Sequence, residues 1–283
     1  MKSRARTLFM MASLMVLFVW IGGILGGKQG AILAFVVAGV MNFGGYWFSD
    51  KLVLKRYRAQ EVGSEDSSGL YRIVSDLAQN AQLPMPKVFV IPEQTPNAFA
   101  TGRNPNHAAV AATQGLLQLL NEDEVAGVMA HELTHVKNKD TLTSTIAATF
   151  AGAIAMLSQI ARYQPRDSRQ RQNPLAMIFI LIGAPLAAVL IRMLISRIRE
   201  YAADAGGAAV SRKPLSLASA LIKIHQGIKR NPLVRGNPAH SHLFIINPFF
   251  GGLQRLFSTH PPVEERIRRL QAMEQQMGER MKP

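Results

Sequence analysis

The chain has 283 residues, 48% hydrophobic and only 18% charged, and 32 Lys and Arg against 18 Asp and Glu give a formal net charge of +14. Without cysteine it forms no disulfide, thiolate-held zinc site, iron–sulfur cluster or cysteine nucleophile, so any metal must be held by His and carboxylates. A nucleic-acid binder would array its cations on a stripe among aromatics. Here many of them flank apolar segments instead, at 2–6, 51–58 and 192–199, where anionic lipid is the better partner and no nucleic acid is expected.

Two uncharged stretches come first. Residues 7–27 and 30–49 are each long enough to cross a bilayer as a helix, which takes roughly 20 residues, and Gly27, Lys28 and Gln29 make the turn of a hairpin. Lys2, Arg4 and Arg6 precede it and Lys51, Lys55, Arg56 and Arg58 follow it, so both groups lie on one side. The positive-inside rule makes that side cytoplasmic. A cleaved signal peptide is the rival for residues 1–27, but the apolar part is long for an h-region and a second span follows at once.

Residues 67–83 pattern as an amphipathic helix, with Leu70, Ile73, Val74, Leu77 and Ala81 on one face and Pro84 as a stop. Short extended segments at 87–91, 97–101 and 107–113, set off by Pro92, Pro96, Gly102 and Pro105, predict a small three-stranded sheet. Asn121 caps the helix that follows, and acids suit its first turn. Two weaker apolar stretches come next, 141–161 and 173–191, the second holding Pro185. If both cross the membrane, the loop with Arg162, Arg166, Arg169 and Arg171 lies outside, against the positive-inside bias. A shallow hairpin, or a helical pair packed over the active site, relieves that conflict, and either arrangement returns the chain to the side it left. Residues 215–228 predict another helix. The tail after Pro262 predicts a last one, with Val263, Ile267 and Leu270 on one face and Glu264 and Glu265 placed to pair with Arg268 and Arg269. The organisation expected is a membrane hairpin at 1–50, a cytoplasmic part at 51–140, membrane-associated helices at 141–196 and a second cytoplasmic part at 197–283.

The chemistry sits after Asn121, in His131-Glu132-Leu133-Thr134-His135. Residues four apart share a helical face, so both imidazoles can point at one ion, and Glu132 can reach a water there without ligating the metal. Zinc suits imidazole, and a catalytic site takes a third protein ligand while leaving one position open. Glu200, His225, His240, His242 and His260 are the candidates. Glu200 is favoured, because it lies just past the fourth apolar stretch on a helix made slim by Ala202, Ala203 and Ala205, with Asp204 on its face. Asp204 is placed to accept a hydrogen bond from the far nitrogen of a ligand histidine. His107, His225, His240 and His242 read as structural or solvated.

These motifs together, with Val136-Lys137-Asn138-Lys139-Asp140, Asn97-Ala98-Phe99-Ala100-Thr101-Gly102 and Ser258-Thr259-His260-Pro261-Pro262, resemble the HtpX family of bacterial inner-membrane zinc endopeptidases. The CaaX prenyl-protein proteases are its more distant relatives. The resemblance implies a mainly α membrane protein, with transmembrane helices and a cytoplasmic gluzincin-type α+β metalloprotease domain holding a small β-sheet. It implies one zinc per chain with Glu200 as third ligand, a multi-pass inner-membrane location, an active site facing the cytoplasm, and hydrolysis of misfolded or damaged membrane proteins under stress. Residues 97–102 then match the family's edge strand, where a substrate adds as a further strand, with Asn97, Ala98 and Phe99 as substrate-binding residues. His260 is the candidate oxyanion donor, since the prenyl-protein proteases carry His in the corresponding stretch; Tyr201 is the second candidate, and a cap before Pro261 is the structural alternative for His260.

Two other readings compete. A membrane-bound chaperone with a structural zinc would close the site with four protein ligands, whereas Glu132 inside the motif favours water chemistry. A CaaX-type substrate keeps the enzyme class, but the short chain and four apolar stretches favour the smaller family. No sequence signal sets the oligomeric state.

Overall fold

The computed structural model describes residues 2–142, 197–230, 245 and 261–280. The first element, α1 (Lys2–Arg56), doubles back on itself at Gly27, whose φ of 57° is a left-handed turn that costs glycine little. The two arms meet closely: a Cβ on Gly22 would collide with the Gly30 carbonyl and the Ala34 methyl. Further along, Asn42 donates its amide to the Met11 carbonyl at 3.3 Å. Among the described residues one helical stretch, Gly27–Phe48, is long and apolar enough to cross a membrane, and Met11–Trp20 is a shorter apolar piece. Phe9, Val16, Trp20, Ile32, Leu33, Phe35, Val40 and Phe43 are exposed along the hairpin.

The lower end of α1 grips the sheet. Strands β1 (Gln60–Val62), β2 (Lys87–Ile91), β3 (Ala98–Gly102) and β4 (Ala108–Thr113) lie in the order β1-β2-β4-β3, with β2 and β4 parallel and the other pairs antiparallel. The sheet thus has four strands rather than three; β1 is only Gln-Glu-Val, too short and polar to signal itself by alternation. Val53, Leu54, Tyr57 and Ala59 cover one face, at Phe89, Ile91, Phe99, Ala109 and Ala111. Arg103, just beyond β3, stacks 4.5 Å above the Trp47 ring. The opposite face (Val88, Ala98, Ala100, Ala108, Val110 and Ala112) enters the main core. Strand β4 is buried on both faces, and its small side chains let helix and hairpin approach together.

Helix α2 (Leu70–Asn80) adds Leu70, Ile73, Val74 and Leu77 to that core, and the short α3 (Gln114–Leu119) leads to α4 (Glu122–Asn138). A capping box starts α4: the Asn121 side chain accepts from Glu124 N and the Glu124 carboxylate accepts from Asn121 N, each at 2.9 Å. Glu124 also accepts from Ser219 and Lys223 on α6 (Pro214–Arg230), which pins that helix to the start of α4. Helix α7 (Val263–Arg280) packs on α6 and buries Leu270; Glu265 pairs with both Arg268 and Arg269.

One contact positions the site. Helix α5 (Arg197–Ser211) lies against α4 at Gly206 and Gly207. A Cβ on Gly207 would stand 2.8 Å from His131 N, and one on Gly206 would press into the Thr134 side chain. Ala203 is fully buried, whereas Ala202 is exposed. The glycines, more than the alanines expected to do so, allow the close approach. The apolar stretches 141–161 and 173–191 fall outside the described residues beyond Leu142, and the chain re-enters at Arg197 beside α4.

Gly207→Ala is therefore expected to destabilise the fold by about 1–3 kcal/mol through overpacking, because a backbone nitrogen cannot yield and the gain in helix propensity is at most ~1 kcal/mol. It should also lower metal content. Gly278→Ala, with nothing within 4 Å of the added carbon, should be neutral or stabilising; urea melts and zinc analysis of both variants check the pair.

Candidate metal centre

His131 and His135 stand on the buried face of α4, with ring planes nearly perpendicular and their Nε2 atoms 3.2 Å apart. Each ring is backed by a carboxylate. His131 Nδ1 lies 3.0 Å from Asp204 Oδ1, and His135 Nδ1 lies 3.3 Å from Asp140 Oδ2. A carboxylate beside Nδ1 keeps the proton there, so both Nε2 lone pairs point at the same space. Glu200, buried on α5, completes the group: its Oε1 is 3.6 Å from His135 Nε2 and its Oε2 is 3.9 Å from His131 Nε2.

These separations suit one ion. Two ligands about 2.0–2.1 Å from a tetrahedral zinc are about 3.3 Å apart, close to the spacings found. Among the described residues, two imidazoles and one carboxylate form a donor set that zinc accepts, and three such ligands match a site that keeps a position for water. Zinc therefore fits the residues present, and it would be held by His131, His135 and Glu200.

Glu132 turns towards the sheet rather than into the ligand set. Its Oε2 accepts from Ala100 N at 2.9 Å, so the edge strand fixes the plane of the carboxylate. The strand's alternation explains why Ala100 can do this. Thr113 N donates to Asn97 O at 2.9 Å, which turns Asn97, Phe99 and Thr101 towards β4 and leaves Ala98, Ala100 and Gly102 facing the outer edge. Gly102 O accepts there from the Thr141 hydroxyl at 2.9 Å. Burial raises the Glu132 carboxyl above its ordinary value, outweighing the two histidines that lower it. Burial opposes protonation of His135, but the Asp140 hydrogen bond and the Glu200 and Glu132 carboxylates push it up to about 9. Burial would also raise Asp204, yet Arg266 and His131 hold it down at about 2.

The expected substrate residues are arranged differently from one another. Asn97 is buried, and its Oδ1 accepts from Ile245 N at 3.2 Å. The Phe99 ring lies on the far face of the sheet, 5.8 Å from the Tyr57 ring, so it faces away from the metal site. Ala98 is turned to the outer edge. Side-chain contacts from Asn97 and Phe99 thus give way to the β3 backbone as the surface next to Glu132. Tyr201 is half-buried under the Arg269 guanidinium, 3.8 Å from the ring centroid. His107 is exposed and pairs with Asn104 at 3.0 Å, and His225 lies on α6. His240, His242 and His260 lie outside the described residues.

Two site residues escape a reading of the sequence. Asp140 was visible in the motif but not as a partner: the left-handed cap at Lys139, φ 59°, turns it back to His135. Arg266 is not singled out by the sequence reading, although it lies three residues after Val263 and four before Leu270, on the apolar face of the tail helix; it is buried beside Asp204.

The model of peptidase family M48 matches residues 64–274. A "Protease HtpX homolog" of Syntrophobacter fumaroxidans is 51% identical over 282 residues, covering 96% of this chain and all of that one. Those of Syntrophotalea carbinolica (52% over 276 residues, 95% and 98% covered) and Pyrococcus furiosus (51% over 279 residues, 96% and 96%) are as similar. Among solved structures, S. mikatae Ste24p shares the fold with a TM-score of 0.51 at 19% identity, over 94% of this chain and 62% of that one.

A metal must displace the proton that His135 holds at neutral pH, because its value near 9 lies above pH 7. Zinc loading at pH 7 should therefore release about one proton, and zinc affinity should rise from pH 7 to 9 and then level. Calorimetry in two buffers of different ionisation enthalpy checks this; equal heats would contradict it.

Proposed function

The chain belongs to peptidase family M48, and from that premise we propose a zinc metalloendopeptidase, multi-pass in a bacterial inner membrane, that hydrolyses misfolded or damaged membrane proteins. The observation that carries this reading is the convergence of His131, His135 and Glu200 while Glu132 stands beside them, braced by Ala100.

Bound zinc supplies Lewis acidity and a water whose pKa is lowered towards about 7. Glu132 takes the proton of the attacking water and delivers it to the leaving amine, and its raised affinity for protons suits both halves of that task. Asp204 and Asp140 hold the histidines in the tautomer that leaves Nε2 free. The outer edge of β3, through the Ala98 backbone and the Ala100 carbonyl, receives the substrate as an added strand, which places the scissile bond next to Glu132, itself held by the Ala100 N–H. His260 donates to the developing oxyanion.

The membrane reading rests on Gly27–Phe48, on the exposed apolar surface of the hairpin and on the basic residues at both of its ends. By the positive-inside rule the active site faces the cytoplasm. Stretches 141–161 and 173–191 then form a second membrane-associated pair between the cytoplasmic parts 51–140 and 197–283. The partners are the bilayer and unfolded protein substrates, not nucleic acid.

Glu132→Gln, purified in detergent, should keep its zinc and lose peptide hydrolysis by a factor of 100 or more, on the order of a lost general base. Glu200→Ala should lose zinc as well. An unfolded membrane protein should be cleaved by the wild type and a prenylated CaaX peptide should not. Appreciable proteolysis by Glu132→Gln, or full zinc in Glu200→Ala, would reassign those residues.

A further inference from the structure

Arg266 heads the fully buried side chains among the described residues, and no step above uses it. Docking of α7 does not need a charge there, since Leu270 one turn on is fully buried and apolar. Placing a guanidinium in a core costs several kcal/mol unless its partners are well placed. Here they are. Nη2 donates to Asp204 Oδ1 at 2.6 Å and Nε to Asp204 Oδ2 at 2.8 Å, a two-pronged grip on one carboxylate. Nη1 donates to Ile245 O at 3.0 Å and stands 4.0 Å from Glu200 Oε2.

Asp204 Oδ1 is shared, receiving both Arg266 Nη2 and His131 Nδ1. With Nη2 only 3.4 Å from His131 Nδ1, the guanidinium and the imidazole edge crowd the same oxygen. Moving the guanidinium therefore moves the carboxylate that orients the ring. The same side chain also reaches the sheet, because Ile245 N donates to Asn97 Oδ1 at the start of β3. The second histidine has a looser version of this support: Arg199 stands 3.7 Å from Asp140, which backs His135.

We propose that Arg266 is a positioning residue of the metal centre: by clamping Asp204 it fixes the orientation of His131, and through Ile245 it ties the edge strand to the same point. This rests on the zinc reading above. It makes α7 part of the ligand geometry rather than only a cover for the core.

The test uses the full chain in detergent, loaded with zinc or with cobalt as a spectroscopic reporter. Arg266→Met should release zinc to a chelator about tenfold faster or more, the usual scale for losing support behind a ligand histidine, and should alter the cobalt visible spectrum. Removing the arginine alone strands a buried carboxylate, so Arg266→Met with Asp204→Asn is the second variant. It should fold, with a metal-free Tm near that of the wild type, and still release zinc about tenfold faster. On the Asp204→Asn background, Arg266→Met should add little further loss, as residues acting in series do. Arg268→Met, exposed on the same helix, should leave the release rate unchanged.

Release within twofold of wild type in the double variant, with an unaltered cobalt spectrum, would overturn the inference and leave the zinc reading standing. A wild-type chain that takes up no zinc would overturn both.

Discussion

Two imidazole nitrogens face each other at 3.2 Å in a buried space, each with its other nitrogen committed to a carboxylate. Two lone pairs brought that close repel, so a cation or a proton shared between the rings makes the arrangement favourable. The surrounding structure follows from that demand. Burial opposes a charge on His135, yet the Asp140 hydrogen bond and the Glu200 and Glu132 carboxylates push it up to about 9. Glu200 brings charge to the same point from another helix, and Arg266 offsets part of the acidity that Asp204, Glu200 and Glu132 would otherwise concentrate in a poorly solvated core. The cluster is stable as a set and costly in any fragment.

Helix and sheet packing hold these groups in register. The glycine pair of α5 lets two helices touch backbone to side chain, so Glu200 reaches histidines on α4 without a long, mobile side-chain path. On the other flank, the edge strand meets α4 through the hydrogen bond from Ala100 to Glu132 and through Ala98 and Ala100 in the shared core. The sheet is itself held from behind by the end of the membrane hairpin, through Val53, Leu54 and Tyr57. A continuous set of contacts therefore runs from the hairpin through β3 to the Glu132 carboxylate. The metal centre thus keeps a fixed relation to the apolar surface of the hairpin.

Sequence reading reached the parts of this arrangement that obey local rules. The i, i+4 histidines, the Asn121 cap, the apolar face of α2 and the three longer strands all follow from periodicity or punctuation. Glu200 was accessible because few acids lie near apolar segments and one stands where the chain must return. Strand β1 was not, since three residues, two of them polar, form a strand only because β2 offers an edge. Arg266 and Asp140 escaped for a related reason: their roles depend on partners far along the chain or on one left-handed residue. The strand's pleat, invisible without its pairing, decides that Phe99 turns away while the Ala100 amide meets Glu132.

The most direct test of the account is anomalous diffraction at the zinc edge from crystals of the full-length protein. One ion is expected within about 2.0–2.2 Å of His131 Nε2, His135 Nε2 and a Glu200 oxygen, with a solvent molecule as the remaining ligand and Glu132 beside it. A fourth protein side chain on the ion, or an ion bound away from these three residues, would contradict the open catalytic site on which the account depends.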